Sequence, residues 1–322
     1  MTKILRTLII SLFITVAVFS LTACNSDNAQ SNVNGKRTIK IGYLPITHAV
    51  PLYIEKELEK SQSRSFHLEL IKFGSWPELM DALNTGRIDG ASVLVELAMK
   101  AKEQGVDLKA VALGHRDGNV VVTSHDIHSV KDLKGKNFAI PHKFSTHNLL
   151  LYQMLKQEGF TYKDVNIIEL PPAEMPAALS EGRVSGYAVA EPFGALSVAM
   201  NKGKVLFQSE ELWKHSVCCA LVLRNDFIRN EKKLAQEFVS EYVKAGKKAE
   251  LKDDYTYEAA SKYMNVNKDV LHLSLKWISF NDLKIDKNAY EELRQYMIET
   301  GLSKNPPAYR EFVDNSLIDK VK

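Results

Sequence analysis

Short apolar runs alternate with longer amphipathic segments over residues 38–193. TIKIGYL (38–44) and FHLELIKF (66–73) have the length and spacing of strands, whereas THAVPLYIEKELEK (47–60) repeats apolar residues every three or four positions, as a helix does. Strands that alternate with helices in this way predict βαβ units and a mainly parallel sheet. The predicted fold class is therefore α/β.

The remaining elements follow the same rule. Further strands are predicted at IDGASVLV (88–95), LKAVALGH (108–115), NVVVTS (119–124), KNFAI (136–140), VNIIEL (165–170) and VSGYAVAEPF (184–193). The helices between them are GSWPELMDALNTG (74–86), ELAMKAKEQG (96–105), STHNLLLYQMLKQEG (145–159) and PPAEMPAALSEG (171–182). Beyond WKHSVCCALVLRNDF (213–227), helical spacing at 231–251, 256–264 and 286–300 predicts helices that serve packing.

Two nearly identical phrases mark a repeat. ALNTGRIDG (82–90) and ALSEGRVSG (178–186) each end a helix that has a proline in its first turn, and each turns at a glycine, Gly86 or Gly182, into an apolar strand. Because any α/β protein contains helices that end at glycine, chance similarity is the alternative explanation. The equivalent places of the two phrases in two restarted α/β units favour an architectural duplication.

The N-terminus has the composition of an export signal. Lys3 and Arg6 precede an apolar stretch (8–21) that ends in Leu-Thr-Ala-Cys at Cys24. A membrane span needs about 20 apolar residues, so an uncleaved anchor helix is the weaker alternative. LTAC resembles the lipobox of bacterial lipoproteins, which implies cleavage before Cys24 and lipidation of that cysteine. The polar residues 24–35 predict a flexible tether.

Composition and charge narrow the function. The 322 residues are 45% hydrophobic and 25% charged, which is typical of a globular protein long enough for two lobes. Loss of Lys3 and Arg6 with the signal lowers the formal charge from +3 to +1, which argues against nucleic-acid binding. Besides Cys24 the sequence contains Cys218 and Cys219, and adjacent cysteines are too strained for an ordinary disulfide. We expect both to be small core residues.

The sequence carries no familiar catalytic motif: no G-x-S-x-G, no P-loop, no H-E-x-x-H and no CxxC. We therefore predict neither an enzyme nor a cofactor. His125 and His128 stand three residues apart, which is weak support for a metal site, and none is predicted.

Four segments resemble the substrate-binding proteins of bacterial ABC importers, in the group that serves nitrate, sulfonate, taurine, bicarbonate and thiamine-precursor uptake. They are IGYLPITHAVPLYIEKE (41–57), GSWPELMDALNTGRIDGA (74–91), SVKDLKGKNFAIPHKFSTHNLL (129–150) and GYAVAEPFGALSVAMNKGKVL (186–206). The resemblance implies a two-lobed, type II periplasmic-binding-protein-like fold with the ligand in the cleft between the lobes. With the N-terminal signal, it divides the chain into a signal peptide (1–23), a tether (24–35), lobe one (36–123 plus 221–322) and lobe two (124–220).

Candidate ligand-binding residues lie at strand ends. Open parallel sheets bind ligands beyond the carboxyl ends of their strands, where helix N-termini present amides. The resemblance also points to Ser145 and Thr146 as donors to an anionic group, although capping the helix is the commonest role of such residues. The predicted ligand-binding residues are Leu44, Thr47, His48, Ser75, Trp76, Val95, Arg116, Ser145, Thr146 and Glu191.

Three of these residues bear on the ligand's chemistry. Trp76 is predicted to form a pocket wall, with a core aromatic as the alternative. Arg116 either supplies a charge to the cleft or is solvated near the hinge. Glu191 is either a surface turn acid or faces the cleft, and a cleft carboxyl would favour a zwitterion, an amine-bearing heterocycle or a co-bound metal.

These observations predict a solute-binding component of an ABC importer. We expect a monomer, anchored by lipidated Cys24 to the extracytoplasmic face of the cell membrane, that captures a small sulfonate-, taurine- or nitrate-like ligand. It would deliver this ligand to permease and ATPase subunits. The alternatives are an aminopyrimidine thiamine precursor or a metal ion as the ligand, an enzyme of the same fold, or a lipid-anchored structural protein.

Overall fold

The computed structural model of the chain describes Asn32, Val33 and residues 35–321. The predicted signal peptide, Cys24 and most of the predicted tether lie outside the described residues. By its contacts the chain divides into residues 1–38 and 39–322. In the first unit, β1 (Asn32–Val33) pairs antiparallel with the start of β2 (Lys36–Tyr43).

The described strands and helices follow the predicted alternation. The further strands are β3 (Phe66–Lys72), β4 (Gly90–Leu94), β5 (Leu108–Leu113), β6 (Arg116–Asp117), β7 (Asn119–Thr123), β8 (Asn137–Ile140), β9 (Asn166–Glu169), β10 (Gly186–Ala190), β11 (Lys204–Gln208), β12 (Cys219–Arg224) and β13 (Ile278–Ser279). The helices are α1 (Val50–Leu58), α2 (Trp76–Asn84), α3 (Val95–Glu103), α4 (Thr146–Gln157), α5 (Met175–Ser180), α6 (Phe193–Ala199), α7 (Ser209–Leu212), α8 (Asn225–Asn230), α9 (Lys232–Glu250), α10 (Asp254–Tyr263), α11 (Lys268–Lys276), α12 (Lys287–Glu299) and α13 (Tyr309–Phe312). Short 3₁₀ turns occur at Thr47–Ala49, Val130–Leu133, Tyr162–Asp164 and Pro172–Glu174.

The second unit contains two mixed sheets of matching topology. The first has the order β3-β2-β4-β12-β5, and the second has the order β9-β8-β10-β7-β11. In the first sheet β2 and β4 are parallel, and β12 runs against both β4 and β5. In the second sheet β8 is parallel to both β9 and β10, and β7 runs against both β10 and β11. Each sheet therefore has a reversed strand in the same place.

The reversed strands are also those by which the chain changes sheets. The chain leaves the first sheet after β5 and enters the second at β7; it leaves the second after β11 and returns to the first at β12. The repeated phrases lead into β4 and β10, which are equivalent strands of the two sheets. Gly86 and Gly182 have φ values of 75° and 70°, as expected of glycines that end helices. The predicted duplication is confirmed at the level of topology.

Helices flank both sheets around an apolar core. Every residue of β4, β7 and β10 is buried, which explains their near-continuous apolar sequences. The C-terminal helices pack as predicted; α9, for example, lies against α1.

Several elements differ from the prediction, including strand β11 (Lys204–Gln208) and helix α11 (Lys268–Lys276), which are not predicted. β12 (Cys219–Arg224) lies within a segment for which no strand is predicted, and the first predicted helix begins with a 3₁₀ turn before α1. From the sequence, the residues of strand β7 form the end of the first segment of lobe one, but in the structure β7 pairs with strands of the second sheet. The lobe boundaries stay a proposal. Among the described residues, no helix is both long and apolar enough to cross a membrane.

Candidate metal centre

Four buried side chains converge in the structure: His48, His115, Cys218 and Cys219. One donor atom from each lies within 4.8 Å of the others. All four side chains are at most 2% exposed, and both thiols are free. Two sulfur and two imidazole nitrogen donors form the ligand set of many tetrahedral zinc sites.

The first sheet brings these residues together. His48 lies in the 3₁₀ turn between β2 and α1, and His115 follows β5. Cys219 opens β12, and Cys218 directly precedes it. Because β12 pairs with β5, the segment after β5 reaches the cysteines, and the Gly114 N–H donates to the Cys219 carbonyl at 2.8 Å.

Gly114 allows the closest of these approaches. A Cβ at this position would lie 2.7 Å from the His48 carbonyl oxygen and 3.3 Å from the Cys219 carbonyl oxygen. A side chain there would therefore push His48 and Cys219 away from His115.

Backbone carbonyls hold each imidazole in the tautomer that a metal requires. His48 donates Nε2–H to the Gly118 carbonyl at 3.1 Å, so its Nδ1 carries the lone pair and faces Cys219 Sγ at 3.4 Å. His115 donates Nδ1–H to the Asp117 carbonyl at 2.7 Å, and its Nε2 accepts a long 3.4 Å bond from Cys219 N–H. Metal-binding histidines are commonly oriented by such bonds. The turn that supplies both carbonyls has left-handed residues at Asp117 and Gly118, with φ of 56° and 75°.

The donor spacing fits a zinc ion. Zn–S and Zn–N bonds of about 2.3 and 2.0 Å place tetrahedral ligand atoms about 3.8 Å apart for two sulfurs and about 3.6 Å apart for sulfur and nitrogen. The Cys218 and Cys219 sulfurs are 4.0 Å apart, and His48 Nδ1 lies 3.4 and 3.9 Å from Sγ of Cys219 and Cys218. These three separations lie within a few tenths of an ångström of the ideal values.

The cluster also favours a thiolate. Burial by itself raises the pKa of the Cys218 thiol, but its contacts with the Cys219 thiol, His115 and His48 outweigh burial and hold the pKa well below its usual range. Burial, followed by the effect of Cys218, raises the pKa of Cys219 well above its usual range. Burial and the neighbouring His48 lower the pKa of His115, which keeps that imidazole neutral. A thiolate and a neutral imidazole are the forms in which cysteine and histidine bind metal ions.

Two polar groups border the cysteines. The side-chain amide of Asn119 lies 3.6 Å from Cys218 Sγ. Glu96 is fully buried, and burial followed by the charge of Cys218 raises its pKa to about 8. Thr146 Oγ lies 2.7 Å from Glu96 Oε1 and 2.9 Å from the Val217 carbonyl. A protonated Glu96 can donate to Thr146, which then donates to Val217.

The predicted site residues divide into two groups. His48 belongs to the cluster, and three others border it. The Val95 N–H donates to the Cys218 carbonyl at 2.9 Å. The Thr146 hydroxyl donates to the carbonyl of Val217, the residue before Cys218. Thr47 donates to the Glu191 carbonyl twice, with its N–H at 2.8 Å and with its hydroxyl at 3.1 Å.

The other predicted residues have structural contacts. Ser145 caps α4 by accepting from Asn148 N–H, and Ser75 stands at the N-cap of α2 without a side-chain cap bond. Arg116 donates to the carbonyls of residues 281, 282 and 284. Trp76 is buried in the core, as is Leu44, whose carbonyl accepts from the Tyr53 hydroxyl.

Glu191 is neither a surface turn acid nor part of the donor set. It is fully buried, and both carboxyl oxygens accept from Ala195 N–H, at 3.2 and 3.1 Å. Burial raises its pKa to about 8.

Sequence reasoning missed His115 and both cysteines as site residues. The adjacent cysteine pair is the only sequence feature that marks them. The predicted position of both cysteines in the core is confirmed. His125 and His128 do not belong to the cluster. A surface cavity of about 780 Å³ is lined by Arg116, Lys214 and Asp282 among others, but by none of the four donors.

Comparisons with known proteins agree on one family. The profile of the NMT1-like family matches residues 33–264. The ligand-binding component of an ABC-type import system from Staphylococcus aureus, solved with zinc bound, shares 43% sequence identity; the match covers 89% of this chain and 99% of that chain, with a TM-score of 0.85. The periplasmic aliphatic sulphonate-binding protein SsuA of Escherichia coli has a TM-score of 0.72 at 20% identity, covering 85% of this chain and 91% of that chain, and supports the fold alone. The predicted periplasmic-binding-protein fold is confirmed.

Curated relatives include the nitrate/nitrite binding protein NrtA of Nostoc sp., 27% identical over 287 residues, or 77% of this chain and 63% of that protein. The chain spans between about a third and two thirds of the length of the nitrate and bicarbonate transport relatives that it matches.

Proposed function

The chain belongs to the NMT1-like family and is a substrate-binding protein of the nitrate, sulfonate and bicarbonate group of ABC importers, not an enzyme. Within this function, we propose that its cargo is a divalent transition-metal ion, with zinc preferred. This ligand replaces the sulfonate-like or nitrate-like molecule expected from the sequence.

The converging donors of His48, His115, Cys218 and Cys219 carry the proposal. Thiolate and imidazole select zinc and neighbouring transition metals, whereas calcium and magnesium require oxygen ligands. The two carbonyls that fix the histidine tautomers supply the orienting hydrogen bonds that such sites use. The zinc bound to the Staphylococcus aureus relative is independent support.

Anion binding has weaker support. Arg116, the cation expected to face the ligand, donates to backbone carbonyls, and Ser145 caps its helix.

Capture requires the site to open, because all four donors are buried. Contacts between elements of the two sheets close it: Thr47 donates to the Glu191 carbonyl, and Thr146 bonds Glu96 and Val217. We propose that the two lobes, 36–123 plus 221–322 and 124–220, separate to admit the ion and close around it. The loaded form would be recognised by permease and ATPase subunits, at the extracytoplasmic face of a membrane to which lipidated Cys24 anchors a monomer.

Zinc titration against a chromogenic chelator tests the proposal. Structural zinc sites bind with about 10–16 kcal/mol, so each of four ligands contributes roughly 2.5–4 kcal/mol. We expect Cys218→Ser and Cys219→Ser each to weaken binding about 100- to 1,000-fold. His125→Ala, a change at an exposed imidazole outside the cluster, is the matched control and should leave the Kd unchanged. Equal zinc affinity in the cysteine variants would refute the assignment.

A thermal-shift panel separates the ligand classes. Zinc, taurine, an alkanesulfonate, nitrate, bicarbonate and an aminopyrimidine are compared at equal concentration, because a ligand that binds the folded state raises Tm. We expect a shift with zinc that the Cys218→Ser variant loses. A shift with an organic ligand or an anion, and none with zinc, would return the assignment to the class expected from the sequence.

A further inference from the structure

His147 is a buried imidazole with no evident use in the fold. It occupies the first turn of α4, is 1% exposed, and within the described part of the chain neither ring nitrogen has a hydrogen-bond partner. A buried polar group that lacks a partner costs about 1–3 kcal/mol. Such a group calls for an explanation in the function of the protein.

The ring lies within electrostatic range of the four-donor cluster. Burial lowers the pKa of His147 to about 4; the Cys218 charge opposes this shift, while His48 and His115 add to it. The imidazole is therefore neutral near pH 7 and offers a lone pair on one nitrogen. The preceding residue, Thr146, already bonds the carbonyl of Val217, next to Cys218, at 2.9 Å.

The cluster and His147 come from opposite sheets. The four donors lie on segments next to β2, β5 and β12 of the first sheet, whereas α4 follows β8 of the second sheet. A ligand that couples capture to closure must touch both sides, since binding shifts a conformational equilibrium only through contacts that differ between the two states.

We propose that His147 binds the captured metal ion as a fifth ligand, contributed by the second sheet on closure. This assignment rests on the proposed metal-binding function. It gives the unpartnered imidazole a partner, and it makes the closed arrangement depend on the ion.

X-ray absorption at the zinc edge tests the assignment, because outer-shell scattering counts imidazole ligands. We expect three imidazoles and two sulfurs in the wild-type protein, and two imidazoles and two sulfurs in His147→Gln. His142→Gln changes a half-buried histidine in the loop before α4 and serves as the matched control, with three imidazoles expected. An unchanged imidazole count in His147→Gln would overturn the proposal.

Affinity and shape give a second readout. Loss of His147 should weaken zinc binding by about tenfold or more and abolish the zinc-induced decrease in the radius of gyration measured by X-ray scattering. His147→Leu, which removes the unpartnered nitrogens, keeps the test valid if the glutamine variant folds poorly. If wild-type protein binds no zinc, the proposed function fails; if it binds zinc through Cys218 and Cys219 with only two imidazoles, this inference alone fails.

Discussion

Replacing Glu191 by glutamine is expected to stabilise the protein in neutral solution. The carboxyl group is fully buried at the end of β10 and accepts from Ala195 N–H through both oxygens. Burial raises its pKa to about 8, although Ala195 and Ser274 act in the opposite direction. At pH 7 the folded protein therefore holds a proton on Glu191 that the unfolded chain releases.

The sign and size follow from linkage. The pKa of Glu191 is about 8 in the folded protein, against an ordinary value of 4.5. The stabilisation that the protonated carboxyl contributes is fully present below the ordinary pKa of 4.5, and it is lost as pH rises from there through the folded-state pKa of about 8. One pKa unit corresponds to about 1.4 kcal/mol, so roughly 3 kcal/mol is lost by pH 7. Glutamine resembles the protonated carboxyl at every pH and removes this loss.

Urea unfolding from about pH 5 to about pH 8 measures the effect. The free energy of unfolding should be similar for wild type and Glu191→Gln at the acidic end, and the variant should become more stable by roughly 3 kcal/mol near pH 7. Glu69→Gln, at an exposed strand position, is the control and should follow the wild-type curve. A constant difference between wild type and Glu191→Gln over the whole range would refute the reasoning.

Three further predictions concern the cluster and its surroundings. Gly114→Ala should weaken zinc binding and lower the free energy of unfolding by about 1–3 kcal/mol, since its Cβ would lie 2.7 Å from the His48 carbonyl; Gly74→Ala, where the nearest atom is 3.6 Å away, is the control. Zinc affinity should rise about tenfold per pH unit around neutrality, because the ion displaces the Cys219 proton; a flat profile in chelator competition would contradict this. Ser145→Ala should cost about 1 kcal/mol of stability through the lost cap of α4 and leave the zinc Kd unchanged, whereas a weakened Kd would assign Ser145 to the ligand.

Local signals were sufficient to predict most of the fold. Apolar periodicity marks the strands and helices, and glycines with positive φ mark the ends of α2 and α5. Strands β11 and β12 lie in segments for which no strand is predicted, and the run Cys219–Leu223 is buried on both faces and shows no alternation. A short apolar run of this kind cannot be distinguished from a helical segment by periodicity alone.

The candidate site was less predictable, because residue type does not decide what a side chain contacts. Arg116 and Ser145 have the chemistry of anion-binding residues, but the fold directs their donors to backbone carbonyls. His115 stands one residue from Arg116, yet its imidazole is the one that reaches the cysteines. Only the pairing of β5 with β12 establishes that proximity.

The strand-end rule applies to two of the four donors, of which only His48 is predicted from the sequence, and strand direction explains the position of Cys219. His48 follows β2 and His115 follows β5, so both lie at carboxyl ends of strands, where the rule places ligands. Cys219 opens β12, and because β12 runs against β4 and β5, its amino end lies at that same edge. The same argument holds in the second sheet, where reversed β7 begins at Asn119, whose amide faces Cys218. The duplicated topology thus brings the first residues of two reversed strands to one site, which becomes evident only when strand direction is known.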